Sequence, residues 1–117
     1  MDFEIVKISD GTLIKVLTER LDTLIAPDLK SELLVVNANG EKNIILDLSN
    51  CSYCDSSGLS AILVANRLCE DAQGTFILTG LRPEVEQIIR ISMLHTVLAI
   101  TQTVAEAAGM LCRKEQV

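Results

Sequence analysis

Two short β-rich runs open the chain, residues 3–8 and 12–18, parted by Ser9-Asp10-Gly11; Asp-Gly between such runs predicts a hairpin. Leu29, Leu33 and Val36 then fall on one helical face, with Pro27 and Asp28 suited to a first turn and Asn39-Gly40 to a stop. Ile44-Ile45-Leu46 and Leu48, broken only by Asp47, are apolar at both odd and even positions, which predicts a strand buried on both faces. A second helix is predicted from Ser56 to about Glu70, and a strand over residues 75–79 after Gly74. Pro83 opens a third helix with Val85, Ile88, Ile89 and Ser92 along one side. Residues 97–100 read as a last strand, and Val104, Ala108, Leu111 and Cys112 mark a final helix, leaving only the tail 113–117 frayed.

The order β-β-α-β-α-β-α-β-α predicts an α/β fold: a mostly parallel sheet with an N-terminal hairpin-like strand pair, flanked by about four helices. With no linker, repeat or low-complexity segment, the 117 residues are expected to form one domain, 1–117. Hydrophobic residues make up 49% and aromatic ones 3%, so the core must be built from Leu, Ile, Val and Ala.

Charge narrows the function classes. A formal net charge of -6 disfavours direct contact with nucleic acid or an anionic membrane, both of which call for a basic patch. The N-terminus MDFEIVKISD lacks the basic and apolar regions of a signal peptide, and no apolar stretch approaches the ~20 residues of a membrane span. A cytoplasmic protein with no direct membrane insertion is expected. Cys51 and Cys54 form a C-x-x-C, but no second such pair follows and His95 is the only histidine, so a four-ligand metal site lacks its other half. Reduced, part-buried thiols are the expectation for Cys51, Cys54, Cys69 and Cys112. The glycines are scattered, without a phosphate-cradling loop, and no Ser or Cys beside His95 forms a nucleophile motif. Neither enzyme chemistry nor a metal or cofactor is expected.

The informative segment is Asn50-Cys51-Ser52-Tyr53-Cys54-Asp55-Ser56-Ser57-Gly58-Leu59, between the buried strand and the second helix. Asp55, Ser56 and Ser57 are each able to cap that helix. Equally, a hydroxyl at a strand-to-helix junction lies on the edge where ligands and partners dock, and a phosphate there meets the positive end of a helix. Along the helix, Ala61, Ile62, Val64, Ala65, Leu68 and Cys69 cover an arc of roughly 160°, enough for a core face. Leu59 and Leu63 fall outside it, either as a wider core stripe or as a partner-binding patch beside the hydroxyl.

These residues resemble the STAS family, in particular anti-sigma factor antagonists. The resemblance rests on Leu46-Asp47-Leu48-Ser49, on Asp55-Ser56-Ser57-Gly58-Leu59 and on Ile62-Leu63. Leu21-Asp22 and Ala26-Pro27-Asp28-Leu29 match a second motif, although Glu19 and Arg20 stand where the family often carries Gly-Glu. Gly80-Leu81-Arg82-Pro83-Glu84-Val85 matches a third, and Ser92-Met93-Leu94 replaces the family's Ser-Gly-Leu.

The resemblance implies a STAS fold and partner switching. Ser56 is then the phosphoacceptor, and Asp22, Asp55, Ser57, Gly58, Leu59 and Leu63 belong to the partner-binding surface. The unphosphorylated protein binds an anti-sigma factor that is a serine kinase, releasing a sigma factor for transcription, and a PP2C-type phosphatase resets the serine. Two other roles known for STAS domains stay open here: a subunit of an ABC-type lipid transporter, and a nucleotide-binding regulatory module.

Overall fold

The computed structural model describes residues 2–115. The strands are β1 (Phe3–Ile8), β2 (Gly11–Val16), β3 (Arg20–Leu21), β4 (Ile44–Asp47), β5 (Tyr53–Cys54), β6 (Phe76–Thr79) and β7 (Ala99–Thr101). The helices are α1 (Ala26–Ala38), α2 (Ser56–Asp71), α3 (Pro83–Ile91) and α4 (Val104–Glu115), with a 3-10 turn at Leu94–Thr96. Five strands form one sheet in the order β1-β2-β4-β6-β7, parallel except for the antiparallel pair β1–β2. This is the expected α/β architecture. Among the described residues, no helix is long and apolar enough to cross a membrane.

Strand periodicity sorts the core into two unequal layers. Ile14, Val16, Ile44, Leu46, Phe76 and Leu78 face one way and pack with the buried sides of α1, α2 and α3. Ile45 and Ile77 face the other way and meet Ala107 and Leu111 of α4. β4 and β6 therefore lie under helices on both sides, and every residue in them is buried. In α1 the buried positions are Ala26, Leu29, Leu33 and Val36, the face read from spacing, and Gly40 follows at φ +92°.

Several local expectations are corrected. The pairing Ile8↔Gly11 makes Ser9-Asp10 the two-residue turn, so Gly11 is the first residue of β2 rather than part of the turn. A Cβ at Gly11 would lie 2.5 Å from the Asn43 carbonyl oxygen, so close approach explains the glycine. Ser92 lies past the end of α3 and is exposed, and Cys112 is exposed while Ala107 and Leu111 carry the buried face of α4. The last strand starts at Ala99, because the chain is still turning through the 3-10 turn at Leu94–Thr96 and the two residues after it, whose Val97 and Leu98 N–H groups donate to the Leu94 carbonyl at 3.1 and 3.0 Å. Of the tail expected to fray, α4 continues through Glu115, and Gln116 and Val117 lie outside the described residues.

Met93 takes the left-handed conformation, φ +62° and ψ 14°, at the position where the resemblance has glycine. A side chain there costs about 1–2 kcal/mol, offset in part by the ~0.5–1 kcal/mol that glycine's extra freedom costs on folding. Met93 is 60% exposed and little packing would be lost. Met93→Gly is expected to stabilise the domain by about 0.5–1 kcal/mol in urea unfolding, with an unchanged slope.

Candidate functional site

The site begins where β4 leaves the sheet. Asp47 is buried, and its Oδ1 accepts a hydrogen bond from the Ser49 N–H at 2.9 Å, turning the chain outward. Gly80, at φ +73°, passes so close that a Cβ would lie 2.7 Å from that same oxygen, and Arg82 Nε donates to the Ser49 carbonyl at 2.8 Å. The chain then pairs β5 with β3 in parallel, Arg20↔Tyr53 and Leu21↔Cys54. The Ser52 N–H donates to the Glu19 carbonyl at 2.8 Å and the Asp55 N–H to the Leu21 carbonyl at 3.3 Å. Leu21 and Cys54 are buried, so Arg20, Asp22, Tyr53 and Asp55, alternating with them, belong to the outer side of this small ribbon.

Asp55 settles the capping question. Its backbone is extended, φ -106° and ψ -171°, and its Oδ1 accepts a hydrogen bond from the Gly58 N–H at 3.1 Å. It is the N-cap of α2, which makes Ser56 and Ser57 the first two helical residues. Ser56 is exposed, Ser57 is half-buried and Gly58 is buried. A Cβ on Gly58 would meet the Leu21 carbonyl oxygen at 2.4 Å and Cys54 Sγ at 2.6 Å, so the first turn of α2 rests directly on β3.

The two leucines part company. Leu59 is half-buried and packs on the larger core, as a wider apolar stripe, while Leu63 is 39% exposed. Leu63 lines a surface cleft of about 640 Å³ together with Ser60, Val64, Arg67 and Glu70. Leu24, which sequence reasoning passed over, is 80% exposed in the loop after Asp22.

Asp22 organises that loop. Its Oδ1 accepts from the Leu24 N–H at 3.0 Å, and its carbonyl accepts from the Ile25 and Ala26 N–H groups at 3.1 and 2.8 Å. Its Oδ2 accepts from Arg20 Nε at 3.1 Å. The Arg20 hydrogen bond holds the Asp22 carboxyl below the usual carboxylate range, and burial pulls the other way. The Arg20 guanidinium also lies over the Tyr53 ring, 4.0 Å from its centre. Neither Arg20 nor Tyr53 stood out as a site residue in the sequence; the one available signal was that positions 19–20 depart from the family pattern.

The neighbouring thiols are packing groups. Burial pushes Cys51 up to about 11, with Asp47 adding to the rise, and Cys54 up to about 12, with Cys51 and Asp55 adding. Cys51 Sγ donates to the Thr18 carbonyl at 3.2 Å. Both remain thiols at neutral pH, the form least suited to nucleophilic or metal-binding work. Among the described residues, no group of three or more His, Cys, Asp or Glu side chains is placed to hold a metal ion. His95 lies in the 3-10 turn before β7 and lines a separate surface cavity with Arg90, Leu98, Thr101 and Glu106.

The STAS domain family model matches residues 5–107. BtrV of Bordetella bronchiseptica, a protein provisionally named an anti-sigma factor antagonist, is 29% identical over 100 residues, covering 86% of each chain. A STAS-domain anti-sigma-factor antagonist from Planctomyces limnophilus superposes with a TM-score of 0.87 at 17% identity, over 96% of this chain and 99% of that one. The Bacillus cell fate determinant SpoIIAA, solved in its phosphorylated form, superposes with a TM-score of 0.72 at 22% identity, over 93% and 98%. With strand order, helix placement and the Asp55-capped helix all accounted for, the chain belongs to the STAS domain family.

Proposed function

We propose that this chain is an anti-sigma factor antagonist, a one-domain binding protein switched by phosphorylation of Ser56. The observation that carries the reading is the division of labour at the mouth of α2: Asp55 takes the capping bond and Ser56 is left exposed. Its partners are an anti-sigma factor with serine kinase activity and a PP2C-type phosphatase, and its place is the cytoplasm. The name borne by BtrV supports the same role, and SpoIIAA, which is also named an anti-sigma factor antagonist, has been solved in a phosphorylated form.

The chemistry needs no catalytic group in this chain. Phosphorylation adds about -1.5 to -2 charges and three acceptor oxygens. At the first helical position the dianion meets the positive end of α2, so the fold tolerates it. A docking partner meets it next to the carboxylates of Asp22 and Asp55. Ser57 and Gly58 shape that edge, Leu63 supplies exposed apolar contact, and Leu59 contributes by seating α2 on the core.

Affinity capture with the wild-type chain and with Ser56→Asp identifies the partner as the kinase held by the first and lost by the second. That kinase, given ATP, is expected to place one phosphate on the wild type and none on Ser56→Ala, although Ser57 is still present. Unchanged transfer to Ser56→Ala, read by intact-mass spectrometry, would show that the acceptor lies elsewhere.

A further inference from the structure

We infer that Arg20 is the cation that receives the phosphate of modified Ser56, so that the phosphorylated edge is an ordered arginine–phosphate contact and not a loose charge. The inference rests on Ser56 as the phosphoacceptor. Arg20 is held in place before any phosphate arrives: its face is stacked on Tyr53 at 4.0 Å and its Nε donates to Asp22 Oδ2 at 3.1 Å. Those contacts occupy the ring-stacking face and one of the five guanidinium N–H donors. The side chain remains 59% exposed, with its Nη groups available in the fork geometry that suits phosphate.

The strand register supplies the reach. Leu21 is paired with Cys54 and its carbonyl accepts from the Asp55 N–H at 3.3 Å, so Asp22 and Asp55, the residues just past the ends of the two parallel strands, are neighbours, roughly 5 Å apart at their backbones. Ser56 follows Asp55 by one Cα step, about 3.8 Å. The guanidinium, tied to the Asp22 carboxylate, therefore lies on the same edge as Ser56, no more than roughly 15 Å from its backbone along this path. A phosphoserine side chain reaching back over Asp55, with a turn of the flexible Arg20 stem, brings the phosphate to the Nη edge of the guanidinium. The charged groups at this edge are then the carboxylates of Asp22 and Asp55, which disfavour the dianion, and Arg20 with the first turn of α2, which favour it.

Bidentate pairing also gives a reason for the stacking on Tyr53. A guanidinium already fixed in plane loses little freedom on binding, so the contact forms at small entropic cost. The phosphate is thereby pinned over the ribbon β3–β5, where it covers the polar edge that the unmodified protein presents.

The test uses the full chain with phosphoserine installed at position 56 during translation, independent of any kinase. The second phosphate pKa is read by phosphorus NMR in the wild-type background, in Arg20→Gln and in Arg20→Lys. The wild-type value is expected to lie below that of Arg20→Gln by about half a unit or more, as for an anion gaining a neighbouring cation. Arg20→Lys, which keeps the charge and loses the fork, is expected between them. The Arg20 Nε–H resonance is expected to shift between unmodified and phosphorylated wild type. Equal phosphate pKa values in wild type and Arg20→Gln, with Arg20 resonances unmoved, would overturn the inference. Absence of kinase transfer to Ser56 sinks the switch reading instead, and leaves this measurement unaffected.

Discussion

Ser56→Asp is expected to bind the anti-sigma partner at least a hundredfold more weakly than the wild type, with no loss of thermal stability. The two halves of that result have separate physical causes. In the free protein the added carboxylate sits on an exposed residue in the first turn of α2, where the helix end favours an anion by about 0.3–1 kcal/mol. Folding is therefore unharmed or slightly favoured. In the complex the same charge is covered, next to the carboxylates of Asp22 and Asp55, and placing like charges together at an interface costs several kcal/mol. About 2.7 kcal/mol already corresponds to a hundredfold. Titration calorimetry with the purified partner, beside a melting curve of each variant, separates the two effects. Ser56→Ala is expected to stay within threefold of wild type, because the hydroxyl has no capping role to lose. Wild-type affinity in Ser56→Asp would remove the electrostatic switch.

What the sequence made legible, and what it hid, follows from how far each signal extends along the chain. The core face of α1 was readable because Leu29, Leu33 and Val36 repeat over several turns, and all three are buried. The double burial of β4 was readable because Ile44, Ile45 and Leu46 are apolar whichever face they meet, and α4 does cover the second face. The D-S-S-G run marked the mouth of α2, but spacing alone left three candidate caps; only the extended backbone of Asp55 and its bond to Gly58 separate them.

The ribbon β3–β5 was invisible, since two residues per strand carry no periodicity, and with it went the placement of Arg20 and Tyr53. Leu59 and Leu63, four residues apart on one helix, read alike in sequence. They differ because Leu59 sits where α2 leans on the core, whereas Leu63 lies further along and faces out. Met93 hid its role for a related reason: the family's glycine is lost there, yet the left-handed conformation is kept and the methionine bears it. Local backbone demands of this kind are set by tertiary contacts, which residue type does not encode.

Gly58→Ala is expected to destabilise the domain by about 2–3 kcal/mol, the largest effect of any single methyl at the site. The argument is one of space rather than of backbone angle, because Gly58 is not among the positive-φ glycines. Its Cβ would stand 2.4 Å from the Leu21 carbonyl oxygen, 2.6 Å from Cys54 Sγ and 3.0 Å from Leu21 Cγ. Leu21 and Cys54 are buried, and the Leu21 carbonyl is held by the Asp55 N–H, so none of the three has room to retreat. Relief requires lifting the first turn of α2 off β3, an overpacking cost of about 1–3 kcal/mol, here at its upper end because backbone is struck; the better helix propensity of alanine, worth up to about 1 kcal/mol, offsets part of it. Gly40→Ala supplies the contrast: nothing lies within 4 Å of its added Cβ, and its penalty comes only from φ +92°, about 1–2 kcal/mol. Urea unfolding of the two variants is expected to rank Gly58→Ala as the more damaging, and to rank it so again when Cys54→Ala is added, because the Leu21 carbonyl remains in the way. The reverse order would mean that α2 does not rest on β3 as closely as the positioning of Ser56 requires.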